Sequence, residues 1–312
     1  MHPTAASWFD RRTSSWRDWT LDRVVRHKGD TTISVVLATL DDEPTVGEIV
    51  GGVRILADQT GLVDEVIVVD SGSQDGTVKV ANEAGATVYH HRDILPEHDA
   101  RQGKGCAQWK ALMVARGDLI VYVDADLAEF RSYFVTGLLG PLLTEPDVSL
   151  VKACYDRPRQ DASAIWGGQV TELMARPLLN VYFPELAGMV QPLAGEYAAR
   201  RSLLETLPFA AGHGVEAGLL LDTVLESGLD AVAQVDLGQR THGRRDTAVL
   251  GEMAVSILHT VLERVHPNDP RWDTLTQFTR AKDAITAVDR PVGGEQRPPM
   301  VTIPEYAQRN SS

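Results

Sequence analysis

Asp118-Leu-Ile-Val-Tyr-Val-Asp-Ala-Asp126 is an apolar run closed by two carboxylates one residue apart. Leu119 to Val123 are apolar or aromatic and mostly β-branched, the pattern of a strand buried on both faces of a parallel sheet. Two carboxylates at the end of such a strand repel one another and resist desolvation, so a cation or hydrogen-bond donors must compensate them. A hard divalent cation does this economically, because Mg²⁺ or Mn²⁺ takes a few protein oxygens and completes its shell with water and phosphate oxygens. An Asp-rich solvated turn has the same sequence and is the commoner source of Asp-x-Asp, so the flanking chain has to decide between them.

Upstream, Ile33-Ser-Val-Val-Leu-Ala38 is a second β-branched run, followed by a polar loop, Pro44 and a helix predicted to reach about Asp58. Val63 to Asp70 is a third run, ending in a carboxylate and the turn-and-cap sequence Ser71-Gly-Ser-Gln-Asp-Gly-Thr77. A helix over Val78 to Ala84 and a strand over Ala86 to His90 follow. Strands alternating with helices through short loops predict an α/β fold, a mostly parallel sheet wound right-handedly with ligands at the carboxyl ends of its strands. Asp42, Asp70, Asp124 and Asp126 all fall at such ends. No G-x-G-x-x-G follows the first of these strands and no G-x-x-x-x-G-K-[ST] occurs, which disfavours dinucleotide dehydrogenases and P-loop enzymes. Gly103-Lys104-Gly105 opens a further helix, where the glycines would leave room for a ligand and the helix amides and ammonium would favour an anion; an ordinary loop lysine is the alternative.

The 312 residues suffice for a full core, and 43% hydrophobic with 23% charged residues is an ordinary globular composition. A net charge of −13 argues against nucleic acid and against an anionic membrane surface as partners. No apolar run approaches the roughly 20 residues of a membrane span, and residues 1–30 have no signal-peptide core, so a cytoplasmic location is expected. The two cysteines, Cys106 and Cys154, make no disulfide framework or zinc site and read as packing residues. Residues 1–30, with Trp8, Trp16 and Trp19, read as an amphipathic helical arm. Leu250, Met253, Ile257, Leu258, Val261 and Leu262 form the stripe of a helix over 246–264, and the tail from Gln296 reads as extended and partly disordered.

The runs Val-Val-Leu-Ala-Thr-Leu-Asp-Asp-Glu, Val-Asp-Ser-Gly-Ser-x-Asp-Gly-Thr, Gly-Lys-Gly and Asp-Ala-Asp, in this order, resemble the nucleotide-sugar half of glycosyltransferases with the glycosyltransferase-A fold. Gly167-Gly-Gln-Val-Thr-Glu-Leu173, Gln191-Pro-Leu-Ala-Gly-Glu-Tyr197 and Leu207 to Leu220 narrow the resemblance to the actinobacterial glucosyl-3-phosphoglycerate synthases. It implies a Rossmann-like, mostly parallel sheet with helices on both faces and a C-terminal helical extension. It divides the chain into an arm (1–30), a nucleotide-sugar half (31–155), an acceptor half (156–245) and an extension with tail (246–312). It also implies a retaining transfer of glucose from UDP-glucose, with Mg²⁺ or Mn²⁺ on the diphosphate, and a homodimer. Ala38, Leu40, Asp42 and Ser71 would hold the uridine part, Lys104 the nucleotide side, Asp124 with Ala125 the ribose or metal, and Asp126 and His242 the metal. Glu216 would contact the transferred sugar, so that Glu216, Asp126 and His242 carry the chemistry.

The acceptor side departs from that pattern. Gln169, after Gly168 and before Thr171, stands where the synthases carry an arginine that grips the acceptor's anionic group, a charge-assisted contact of roughly 1.5–3 kcal/mol. The loop from Tyr155 to Trp166 reads as shorter, His213 replaces a usual tyrosine, and Arg244 and Arg245 lie in an altered segment. The expectation is therefore a small anionic or phosphorylated acceptor, with 3-phosphoglycerate itself as the alternative. Two further readings are a sugar nucleotidyltransferase, which would need a Gly-rich basic loop after the first strand, and a non-catalytic nucleotide-sugar-binding protein, which would not need three metal ligands.

Overall fold

The computed structural model describes residues 1–98, 103–156, 168–240, 246–267, 274–281, 284–292 and 295–310. In chain order the elements are α1 (Pro3–Arg12), β1 (Thr13–Ser15), α2 (Leu21–Lys28), β2 (Ile33–Thr39), α3 (Glu43–Thr60), β3 (Glu65–Asp70), α4 (Thr77–Glu83), β4 (Thr87–His90), α5 (Lys104–Val114), β5 (Leu119–Asp124), α6 (Tyr133–Thr144) and β6 (Leu150–Asp156). After these come α7 (Arg176–Tyr182), β7 (Tyr197–Arg200), α8 (Arg201–Leu204), β8 (Phe209–Ala210), α9 (Val215–Ser227), β9 (Val232–Gln239), α10 (Thr247–Val265), β10 (Thr274–Ala281), β11 (Ala284–Pro291), β12 (Gln296–Arg297) and α11 (Pro304–Asn310).

Eight strands make one sheet in the order β1-β9-β6-β7-β5-β2-β3-β4. All neighbours run parallel except β7, which lies antiparallel between β5 and β6. The chain leaves β2 for β3 and β4 on one side and returns to β5 on the other, so the topological switch point lies between β2 and β5, where α/β sheets bind ligands. The register sets Ala38 beside Asp124 and Thr39 beside Asp70 at that edge. Val35, Val36 and Leu37 of β2 and Ile120 and Val121 of β5 are fully buried, as strands covered on both faces require. Helices cover the two faces with separate apolar clusters, one centred on α3 and α6, the other on α5 and α9. The sheet runs unbroken past residue 155, so the two halves are not separate packing units.

Three sequence readings need correction. Residues 1–30 are not helix alone: Thr13–Ser15 pairs in parallel with Gln234–Asp236 as the outermost strand, and Trp8 is buried with its indole N–H donating to the Val232 carbonyl at 2.9 Å. The C-terminal region is not purely helical, because an antiparallel hairpin, β10–β11, follows α10. The tail is folded: β12 pairs with β8, and Met300, Ile303 and Tyr306 are buried. Three apolar residues within seven positions outweigh the Pro and Arg that made this segment look open. Both cysteines are buried and unpaired, in keeping with packing roles. Among the described residues no helix is long and apolar enough to cross a membrane.

Candidate active site

Asp124 ends β5 and has both carboxylate oxygens engaged by cations. Lys104 Nζ lies 2.5 Å from Oδ1, and Arg240 Nη2 lies 3.2 Å from Oδ2. Burial pushes the Asp124 carboxyl up, but Lys104 and Arg240 outweigh it and hold the group well below the usual carboxylate range. Gly195 closes the remaining side: a Cβ there would overlap the Asp124 carboxylate. Asp126, two residues on, is more open, its side chain 43% exposed, and receives Arg240 Nη2 at 3.2 Å. Ala125 between them is buried, and its carbonyl accepts a 2.5 Å hydrogen bond from the Thr45 hydroxyl, tying the turn to α3.

Lys104 also reaches Glu216 Oε1 at 2.5 Å, so its ammonium bridges the strand-end carboxylate and the first turn of α9. Burial lowers the Lys104 pKa, but Asp124 and Glu216 prevail and raise it above the ordinary lysine value. The flanking glycines do not leave the room for a ligand that the sequence predicts. Gly103 adopts φ +139°, and a Cβ on it would stand 2.8 Å from the Ala211 carbonyl oxygen, while one on Gly105 would collide with that of Ala210. The chain's own 210–211 backbone occupies the space, and the Cys106 amide donates to the Ala211 carbonyl at 3.0 Å. The glycines therefore seat α5 against β8 and α9, which aims Lys104 at the carboxylates.

On the other side of the switch point, Asp42 precedes the first residue of α3 and turns its carboxylate back to accept the Leu40 amide at 3.0 Å rather than capping the helix. Burial pushes its carboxyl up to about 6, with Asp126, Asp124 and Asp75 adding repulsion. Leu40 is exposed, Ser71 is partly exposed, and its amide donates to the Thr39 carbonyl. Asp70 is consumed internally, accepting the Gly72 and Ser73 amides and the Ser73 hydroxyl.

Two site residues escaped the sequence reading. Glu196 is fully buried, and Arg240, whose side chain is 4% exposed, places Nη1 2.6 Å from it and 2.8 Å from the Tyr155 hydroxyl. Beneath them Lys152, also buried, donates to the Ala194 carbonyl at 2.6 Å; burial lowers its ammonium to about 8. Partners 44 and 116 positions away in the chain leave no local pattern to read.

Residues 34–207 match the family model of glycosyl transferase family 2. The chain is 46% identical over 306 residues to the glucosyl-3-phosphoglycerate synthase of Mycolicibacterium paratuberculosis, covering 95% of this chain and 92% of that one. It superposes with a TM-score of 0.89 on the mannosyl-3-phosphoglycerate synthase of Rubrobacter xylanophilus, at 36% identity and with 96% and 99% of the two chains covered. A glucosyl-3-phosphoglycerate synthase of Mycobacterium tuberculosis, crystallised with Mn²⁺, UDP-glucose and phosphoglyceric acid, gives a TM-score of 0.84 at 44% identity over 93% and 98% of the chains.

The chain belongs to glycosyl transferase family 2. Within this family-2 fold the structure gathers Ala38, Asp42, Lys104, Asp124, Ala125, Asp126 and Glu216 around one sheet edge. Of the expected acceptor residues, Gly168 accepts the Glu172 amide at 3.0 Å, Gln169 is exposed, and Thr171 is buried at the start of a π-helical turn, Thr171–Ala175. His213 is exposed in the loop before α9. His242, Arg244 and Arg245 lie outside the described residues, as do Arg157, Arg159 and most of the loop read as shortened. Among the described residues no group of three or more His, Cys, Asp or Glu comes together to hold a metal.

Proposed function

We propose that the chain transfers glucose from UDP-glucose to the 2-hydroxyl of 3-phosphoglycerate, with retention and with Mg²⁺ or Mn²⁺ at the diphosphate. The observation that carries this reading is the Asp124–Asp126 pair at the switch point of a chain similar along nearly its whole length to phosphoglycerate synthases. That similarity favours phosphoglycerate over the broader class of anionic acceptors, and it extends to a mannosyl enzyme, so the donor sugar is the part to vary in assays. Residues 31–155 would serve the donor and 156–245 the acceptor, in a cytoplasmic homodimer.

The oxygen donor set fits a hard cation. Asp126 offers an accessible carboxylate, and a site with so few protein ligands suits a metal that keeps water and phosphate oxygens. When bound, the cation neutralises the charge that develops on the departing diphosphate. The protein's own groups orient the donor: Lys104 brings positive charge between Asp124 and Glu216, and the Leu40 and Ser71 loops flank the nucleotide edge. Glu216 is 5% exposed and held by Lys104. A carboxylate so held is poorly placed as a covalent nucleophile, which supports front-face attack, with the leaving oxygen accepting the acceptor's proton. Asp126→Ala or EDTA should abolish UDP release while leaving the circular dichroism spectrum unchanged. Full turnover in EDTA after exhaustive dialysis would remove the metal from the mechanism.

A further inference from the structure

Arg240 joins both strand-end aspartates to the buried groups behind them. Nη2 lies 3.2 Å from both Asp124 and Asp126, and Nη1 meets buried Glu196 and the Tyr155 hydroxyl. Its amide donates to the Asp156 carbonyl at 2.9 Å, pinning the end of β9 to the end of β6. A guanidinium is planar and always charged, and its fork can serve two carboxylate groups at once. Glu196 has no route to solvent, so it fixes where the fork points. Asp124 then has Lys104 on one oxygen, Arg240 on the other and Gly195 against its side.

This arrangement differs from a bare pair of aspartates waiting for a cation. The countercharge that two adjacent carboxylates require is already supplied from within the chain. We infer that Arg240 is a positioning residue that acts as a resident counter-cation: it holds Asp124 and Asp126 in place without metal and makes the site a weak binder of free Mn²⁺. The metal then binds well only together with the nucleoside diphosphate. A free divalent ion meets an Asp124 already neutralised by two cations. A metal–diphosphate complex brings its own oxygens and carries little net charge, so Lys104 and Arg240 oppose it far less. Coupling between two ligands is reciprocal, so UDP should likewise bind weakly without metal.

The inference rests on the donor reading above, and one titration separates the two. Free Mn²⁺ is followed by electron paramagnetic resonance in the wild-type protein, with and without saturating UDP. Mn²⁺ should bind at least about 100-fold more tightly with UDP, near the upper end of ordinary coupling. Equal affinity with and without UDP overturns the inference while leaving the donor reading standing. Absence of Mn²⁺ binding under both conditions overturns the donor reading and the inference with it. Arg240→Met alone strands Glu196 as a buried charge, so the variant of choice is Arg240→Met with Glu196→Gln, folding being checked by melting temperature. In that double variant Mn²⁺ alone should bind about tenfold or more tightly than in wild type, and the enhancement by UDP should shrink. Unchanged Mn²⁺ affinity in the folded double variant, or an equal loss with and without UDP, would show that Arg240 is structural support only.

Discussion

Asp42 shows what single residues bear at a carboxylate-rich edge. Its folded-state carboxyl is raised to about 6 by burial, with repulsion from Asp126, Asp124 and Asp75 adding to it, from an ordinary 3.8. Between those values the folded state keeps a proton that the unfolded chain releases, so stability falls as pH rises from about 4 through about 6. Asp42→Asn keeps an acceptor for the Leu40 amide and removes the charge. The variant should melt higher than wild type at pH 7, show no difference at pH 3.5, and bind UDP less well; a constant offset in melting temperature at both pH values contradicts this. Gln169 belongs to the same scale. If it faces the acceptor anion, as the matched arginine of the resemblance implies, Gln169→Arg should raise kcat/KM for 3-phosphoglycerate by about tenfold per 1.4 kcal/mol recovered. An unchanged kcat/KM would show that position 169 does not face the anion.

Among the elements, the β-branched runs were legible because each is buried on both faces and gives way to a polar, Asp-bearing turn: Ile33–Thr39, Glu65–Asp70 and Leu119–Asp124 lie within a residue or two of their sequence readings at the carboxyl ends. The elements that were not legible depend on remote partners. Thr13–Ser15 is a strand only because β9 offers an open edge, and Gln296–Arg297 only because Phe209–Ala210 does. The tail's function also follows from its contacts. β12 backs β8, whose chain presses on Gly103 and Gly105, and the Trp109 indole N–H donates to the Pro298 carbonyl at 2.8 Å. Arg309 caps the end of α5 through the Leu112 and Ala115 carbonyls. The C-terminus therefore braces the helix that carries Lys104. Tyr306→Ala deletes a buried ring and its bond to Glu205, a loss of about 3–5 kcal/mol, and should lower the melting temperature by about 5–10 °C. A fall of less than about 2 °C in a calorimetric scan would mean that the tail is not part of the core.

At the scale of the whole molecule, the Asp-Ala-Asp turn and the winding of the sheet could be read from the chain because both follow from local pattern. The charge balance around them could not. Glu196 and Arg240 look like a turn acid and a loop base until folding brings them 2.6 Å apart under the switch point. Gly103 and Gly105 signalled a close approach, but sequence cannot say whether a ligand or the chain's own backbone makes it. The result is an edge where Lys104 and Arg240 face four carboxylates, Asp124, Asp126, Glu196 and Glu216, with Asp42 near enough to add repulsion. Such an edge suits a donor that arrives with its own divalent cation. The direct test is product formation: purified protein is incubated with UDP-glucose, Mg²⁺ or Mn²⁺, and 3-phosphoglycerate, and UDP and the glycosylated acceptor are quantified together. Metal-dependent glucosyl transfer to phosphoglycerate predicts one UDP for each glucosyl-phosphoglycerate formed, with both lost in EDTA. UDP release no faster than in the acceptor-free control, with either metal, would contradict it.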